Sequence, residues 1–129
     1  MPTPYRVIGL RIPGLVAGAD LSAQQFRFVK AGANEGEVVA ITAATDRPAG
    51  VLLDAPNAAG RIVEVASFEI TEVTAGAAIP YGAEVQTDPQ GRAIAAVTGG
   101  FVVGRALQVA VGVGARISIA LNCFNPPKA

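Results

Sequence analysis

Apolar and polar residues alternate along this chain in short runs, and glycine or proline closes almost every run. The clearest case lies near the C-terminus. Ile117, Ile119 and Leu121 alternate with Arg116, Ser118, Ala120 and Asn122. Ahead of Gly112-Val113-Gly114, Leu107 and Val109 alternate with Ala106 and Gln108. Period two on both sides of a glycine turn predicts a half-buried pair of strands. A one-residue slip would turn the isoleucines outward, so the register is pinned.

Similar runs recur upstream. Glu37 to Thr42 (EVVAIT) reads as a strand, and Arg61 to Thr71 (RIVEVASFEIT) as a longer one. In the latter Val63 and Val65 share a face, and the apolar face then switches to Phe68 and Ile70. That switch predicts a bulge or bend near Ala66 and Ser67. Ala83 to Thr87 and Arg92 to Val97 flank Asp88-Pro89-Gln90-Gly91, whose proline and glycine fit a type I turn and a hairpin. Helical periodicity is absent throughout. The fold class is all-β: a small β-barrel or sandwich-like domain over 17–124 with an extended N-terminal arm over 1–16 and a polar tail at 125–129.

A weak internal echo runs through the chain. Gly50-VLLDAPNAA-Gly60 before Arg61-Ile62 resembles Gly104-RALQVAVGV-Gly114 before Ala115-Arg116-Ile117. Ahead of these, Ala17-Gly18-Ala19-Asp20-Leu21 resembles Ala75-Gly76-Ala77-Ala78-Ile79. The order of pieces is the same in both halves, which points to two related β-lobes sharing one core.

Composition adds a constraint on assembly. The 129 residues include 25 alanines and 16 valines against five phenylalanines, two tyrosines and no tryptophan. Small side chains remove little area each, at roughly 25 cal/mol per Å², so a monomer would have a thin core. Oligomerisation is the expected remedy. Ten basic and ten acidic residues cancel without clustering. A nucleic-acid partner and an anionic membrane are therefore not expected. The prolines and arginines of MPTPYRVIGLRIPGLVAG interrupt any signal-peptide core, and no run is long enough to span a membrane. The chain reads as a protein made and used without export.

Candidate chemistry is sparse. With no histidine, Ser-His-Asp and Cys-His catalysts are impossible. Ser22, Ser67 and Ser118 have only Lys30 and Lys128 as lysine partners. Cys123 reads as a small buried hydrophobe. Glu35 and Glu37 flank Gly36 in a solvated turn, while Glu69 and Thr71 share a strand face expected at solvent or against a neighbour's arginine. Thr98 to Gly104 carries no Walker lysine and reads as a tight turn into a strand. No catalytic residue, metal site, cofactor or small-molecule substrate is expected. Two rival readings remain. A tail, fibre or carbohydrate-binding module is one, although sugar sites use the aromatics this chain lacks. A trimeric nucleotide hydrolase is the other, with Asp54 and Asp88 as its isolated carboxylates.

The arm has a different character. Arg6, Ile8, Leu10 and Ile12 share one side of an extended chain. Such a strand can add to the sheet edge of another protein or form the first strand of its own domain.

The progression AGANEGEV, PAGVLLD, TAGAAIPYGAEVQTDPQGRAIAA and VVGRALQVAVGVGARISIALN resembles the capsid cement, or head decoration, proteins of tailed bacteriophages. The likeness is clearest from Thr74 to Asn122. It implies a β-rich homotrimer, made in the bacterial cytoplasm and added to the outer surface of the virion head. There it would bridge major capsid protein subunits against the pressure of packaged DNA. Carried to this chain, the likeness implies a capsid-contacting segment at Pro2, Thr3, Pro4, Tyr5, Arg6, Val7, Ile8, Leu10 and Ile12.

Overall fold

A computed structural model describes Val7–Arg11 and residues 14–123. Among these residues there is no helix, and ten strands follow one another as β1 (Val7–Arg11), β2 (Val16–Ala17), β3 (Phe28–Ala31), β4 (Glu37–Ala40), β5 (Gly50–Leu52), β6 (Val65–Thr74), β7 (Glu84–Thr87), β8 (Ala93–Ala95), β9 (Gly104–Ala106) and β10 (Arg116–Asn122). The fold is all-β. Pairing runs β2-β4-β3-β5-β6-β10-β9-β7-β8, with β1 on β6. Every pair of strands is antiparallel except β2 with β4.

The internal echo is a structural repeat. In the first half Phe28 faces Val51, Val29 faces Gly50 and Leu52 faces Val65; in the second Glu84 faces Arg105, Val85 faces Gly104 and Ala106 faces Ile119. Ala17 pairs in parallel with Val38, and Ala75 with Ala93. The loops close in the same way. Ala17 donates to Arg61 O and accepts from Gly60 N, while Ala75 donates to Ala115 O and accepts from Gly114 N. Leu21 N donates to Pro56 O as Ile79 N does to Ala110 O. Each half is thus one β-unit, and the same small residues recur where the backbones pack.

The two units do not share a single core, as the echo alone suggested. The first encloses Ala17, Leu21, Val29, Val38, Leu52, Val63 and Val65. The second encloses the matching Ala75, Ile79, Val85, Ala93, Ala106, Ile117 and Ile119, and adds Phe28, Val51 and Ala66 from the back of the first unit's sheet. Two small cores are stacked, with β5 buried on both faces between them. Stacking is the physical remedy for small side chains, because one sheet serves two cores.

β6 joins the units and departs from expectation. It begins at Val65, leaving Arg61–Glu64 outside the strand. Its register against β1 is irregular at Ser67, where Leu10 and Arg11 face Phe68 and Ala66, so the expected bulge falls in place. Val65 then lies in the first core and Ala66 in the second. Beyond the bulge the buried face is the opposite of the expected one. Phe68 is 50% exposed, whereas Glu69 and Thr71 are buried. β10 decides this, since Leu121, Ile119 and Ile117 stand opposite Glu69, Thr71 and Val73. The stronger apolar stripe of β10 pulls its partner's polar residues inward, and the Thr71 hydroxyl finds no partner there.

Turn chemistry holds where the sequence placed it. Gly91 N donates to Asp88 O across the Asp88–Gly91 turn, joining β7 and β8. One repeat position breaks the local rule. Gly82 adopts φ 80°, and its counterpart Phe26 adopts φ 60°. For a bulky residue the left-handed region costs roughly 1–2 kcal/mol. Phe26 offsets that by packing its ring on the second core under the Arg116 guanidinium, 4.5 Å away, while its carbonyl accepts from Thr74 N. Its backbone and ring together tie the first unit to the second.

Two repeat glycines have no room for a side chain. A Cβ on Gly50 would strike the Ala66 carbonyl oxygen, and one on Gly104 the equivalent Ala120 oxygen. Gly50→Ala and Gly104→Ala should each destabilise the protein by about 1–3 kcal/mol, read as a lower urea midpoint. Gly112→Ala, where a Cβ meets open space, should leave the midpoint within about 0.5 kcal/mol of wild type.

Candidate interaction surfaces

The predicted capsid-contacting residues divide. Pro2, Thr3, Pro4, Tyr5, Arg6 and Ile12 lie outside the described residues, while Val7, Ile8 and Leu10 belong to β1. Within β6, Phe68 faces both Leu10 and Asn122, and Ile70 faces both Val7 and Ala120. Both edges of that stretch are therefore occupied, one by β1 and one by β10. β1 pairs with no other described strand, so it is the edge of this part of the sheet. Its ladder shifts register twice within five residues, which leaves it less regularly paired than β10.

A second surface comes from the loop before β10. The sequence pattern placed Leu107 and Val109 on a buried strand face. The structure instead ends β9 at Ala106, buries Gln108 and Ala110, and exposes Val109, Val111 and Val113. Gln108 Oε1 accepts from Ser118 N, and Ala110 pairs with Ile79. Those bonds hold the small and polar residues inward and turn the valines out. The corresponding loop of the first unit shares the bond from Leu21 N to Pro56 O and the closure of Ala17 with Gly60 and Arg61. It lacks the return bond because Pro56 has no N–H, and it carries Ala55, Asn57 and Ala59. Folding therefore does not require valine here. Tyr81, two residues beyond Ile79, is exposed as well.

The groups that carry chemistry elsewhere are held in structural contacts. Asp88 Oδ1 accepts from Gln90 N and Arg92 N, and its Oδ2 from Arg92 Nε at 2.8 Å. Asp54 lies in the other unit, where its Oδ2 accepts from Glu64 N. The two carboxylates therefore lie in separate units, Asp88 closing its own turn and Asp54 bonding to Glu64 across the loop with its buried Oδ1 left without a hydrogen-bond partner. Ser67 donates to Ala49 O, and Lys30 donates to Thr42 Oγ1 and Asp46 Oδ2. Glu35 sits in the exposed turn before β4, and Glu37 Oε1 accepts from Asn34. Glu69, expected at solvent or against a neighbouring subunit, is 7% exposed inside its own chain. Among the described residues no three side chains of metal-ligating type converge.

Asp46 shows how one polar loop is held. The Lys30 ammonium first, then the Thr42 amide, with smaller help from the Ala43 amide and the Thr42 hydroxyl, keep its carboxyl well below the usual range against the opposing effect of desolvation. A depressed folded value means stability that is present above the unfolded pKa and lost as pH falls through the folded one. Asp46→Asn should therefore lower the urea midpoint at pH 7, and its gap to wild type should begin to narrow as pH drops below about 4. A gap as wide at pH 2 as at pH 7 would show that charge is not the cause. Burial pushes the Cys123 thiol up to about 12, with Arg47 opposing weakly. Labelling by a thiol-exchange reagent at pH 8 should then follow unfolding, with little reaction in native buffer.

No protein-family model and no curated protein matches the chain. Among solved structures it is similar to the N base of head fiber gp8.5 of bacteriophage phi29, at 17% identity and a TM-score of 0.68. That similarity covers 91% of this chain and 97% of the other, so the two chains share a fold over nearly their full lengths.

Proposed function

We propose that this chain is a non-enzymatic structural protein of a tailed-phage head, a decoration protein on the outer shell surface. The observation that carries the reading is the shared fold, which spans nearly the full length of a phage head-fibre base. The side chains support it, because the carboxylates and the lysine described above serve turns and strand ends. In this reading the chain acts as a homotrimer that bridges major capsid protein subunits. Several weak contacts per trimer combine through effective concentration. A ligand that binds only the expanded shell stabilises it by linkage against internal pressure.

The exposed valines form the apolar surface from which we expect copies of the chain to associate. Residues 2–12 are the proposed shell contact, with β1 anchoring that segment to β6. A second reading, the anchoring base of a head fibre, is favoured by what the phi29 protein is. The two differ in copy number on the virion: many lattice positions for decoration, few for a fibre base. A map of the virion distinguishes them.

The direct test is add-back to purified heads that lack this polypeptide. Decorated heads should survive heating and low salt better than bare ones, and equal survival overturns the proposal. Removing residues 1–6 leaves β1 in place and should weaken shell binding by roughly tenfold or more, about 1.4 kcal/mol per site. Removing residues 1–12 should abolish binding while the cooperative unfolding of the domain remains. Normal decoration by the shorter chain would assign the contact to another surface.

A further inference from the structure

The repeat provides an internal comparison of two equivalent faces. On the first unit, Phe28 and Val51 stand opposite each other, fully buried beneath the second unit, with Ala66 beside them. The equivalent face of the second unit carries Glu84 opposite Arg105, with Ala120 beside them, and it lines an open groove with Val102 and Asn122. Ala66 and Ala120 are the same residue at the same repeat position. One is wholly covered, the other only half-buried. The two faces share their strand pairing, and they differ at the facing pair and at Phe68, whose counterpart is Asn122.

We propose that Glu84 and Arg105 terminate the stack, keeping this face out of association with other copies of the chain. A unit that stacked here as the second stacks on the first would bring apolar residues over a carboxylate and a guanidinium. Burying charged groups against apolar cover, without partners in the covering layer, opposes the contact. Repeat proteins need such a polar outer face wherever stacking ends. A chain present in many copies has a particular need of it, because a stack that continued from one molecule to the next would be an open, non-closing fibre. Copies can then associate only through surfaces elsewhere, such as the Val109–Val113 loop. The inference rests on the repeat geometry and stands whether or not the protein decorates a phage head.

The test restores the buried pair of the first unit on the second. Full-length Glu84→Phe/Arg105→Val should form species larger than wild type in sedimentation velocity, at a concentration at least about tenfold below that at which wild type does so. A control with the same residue changes at exposed positions off this face, Glu35→Phe/Arg61→Val, should sediment as wild type. Glu84→Gln/Arg105→Gln, polar but uncharged, should also remain near the wild-type state. Circular dichroism with a urea melt establishes folding. If the double variant does not fold, Arg105→Val alone is read in the same way and should shift association in the same direction. The proposal is overturned if the folded double variant, or failing that the single one, sediments as wild type. Equal association by the control pair also overturns it, because apolar gain anywhere would then suffice.

Discussion

The ladder between β6 and β10 holds the rest of the structure in place. Seven consecutive pairs, from Thr74 with Arg116 to Phe68 with Asn122, run without a break. Through them the strand that closes the first unit becomes a wall of the second. Ile117 and Ile119 lie on the inner face of that ladder, both fully buried. Their burial sets which face of β6 turns inward, even though Glu69 and Thr71 must go with it. Burying a threonine hydroxyl without a partner costs on the order of 1–3 kcal/mol. The burial of large aliphatic residues on both strands outweighs that cost.

The repeat explains how a chain so rich in alanine and valine forms a stable domain. Neither unit alone encloses many large side chains. Stacking lets β5 and the start of β6 contribute to two cores at once, Val65 and Leu52 to one, Ala66 and Val51 to the other. The glycines at 50 and 104 serve the same economy of space, since each lets a neighbouring backbone approach where a methyl group would collide. Phe26 marks the join. It accepts a left-handed backbone that its counterpart Gly82 adopts freely, and in return places the aromatic ring on the second core.

Differences between the units are as informative as their likeness. Many positions that fold the unit are matched, alanine with alanine, leucine with isoleucine, glycine with glycine, although Ala93 and Ala106 stand where the first unit has Val38 and Leu52. Positions that face outward are not. Valines replace Ala55, Asn57 and Ala59 in the second unit's loop, and a charged pair replaces Phe28 and Val51 on its back. Equivalent backbone with unlike surface is what remains when folding constrains one set of residues and association the other. The reactive groups follow the same division, with Asp88 and Asp46 closing turns and Cys123 buried as a hydrophobe.

The sequence by itself determined the local elements. Period two, a proline-glycine turn and repeated glycines gave the all-β class, the Asp88 hairpin, the bulge at Ser67 and the repeat, because each depends on a few adjacent residues. Tertiary structure decided which face of each strand is inside. Alternation shows that two faces differ but not which one another strand will cover. Phe68 therefore reads as core and lies outward, with Ile70 only half-buried, while Gln108 and Glu69 read as surface and lie inward. The stacking of the units was likewise illegible. Phe28 and Val51 belong to the second core only because the second unit, remote along the chain, folds over them, and no local pattern encodes such a contact.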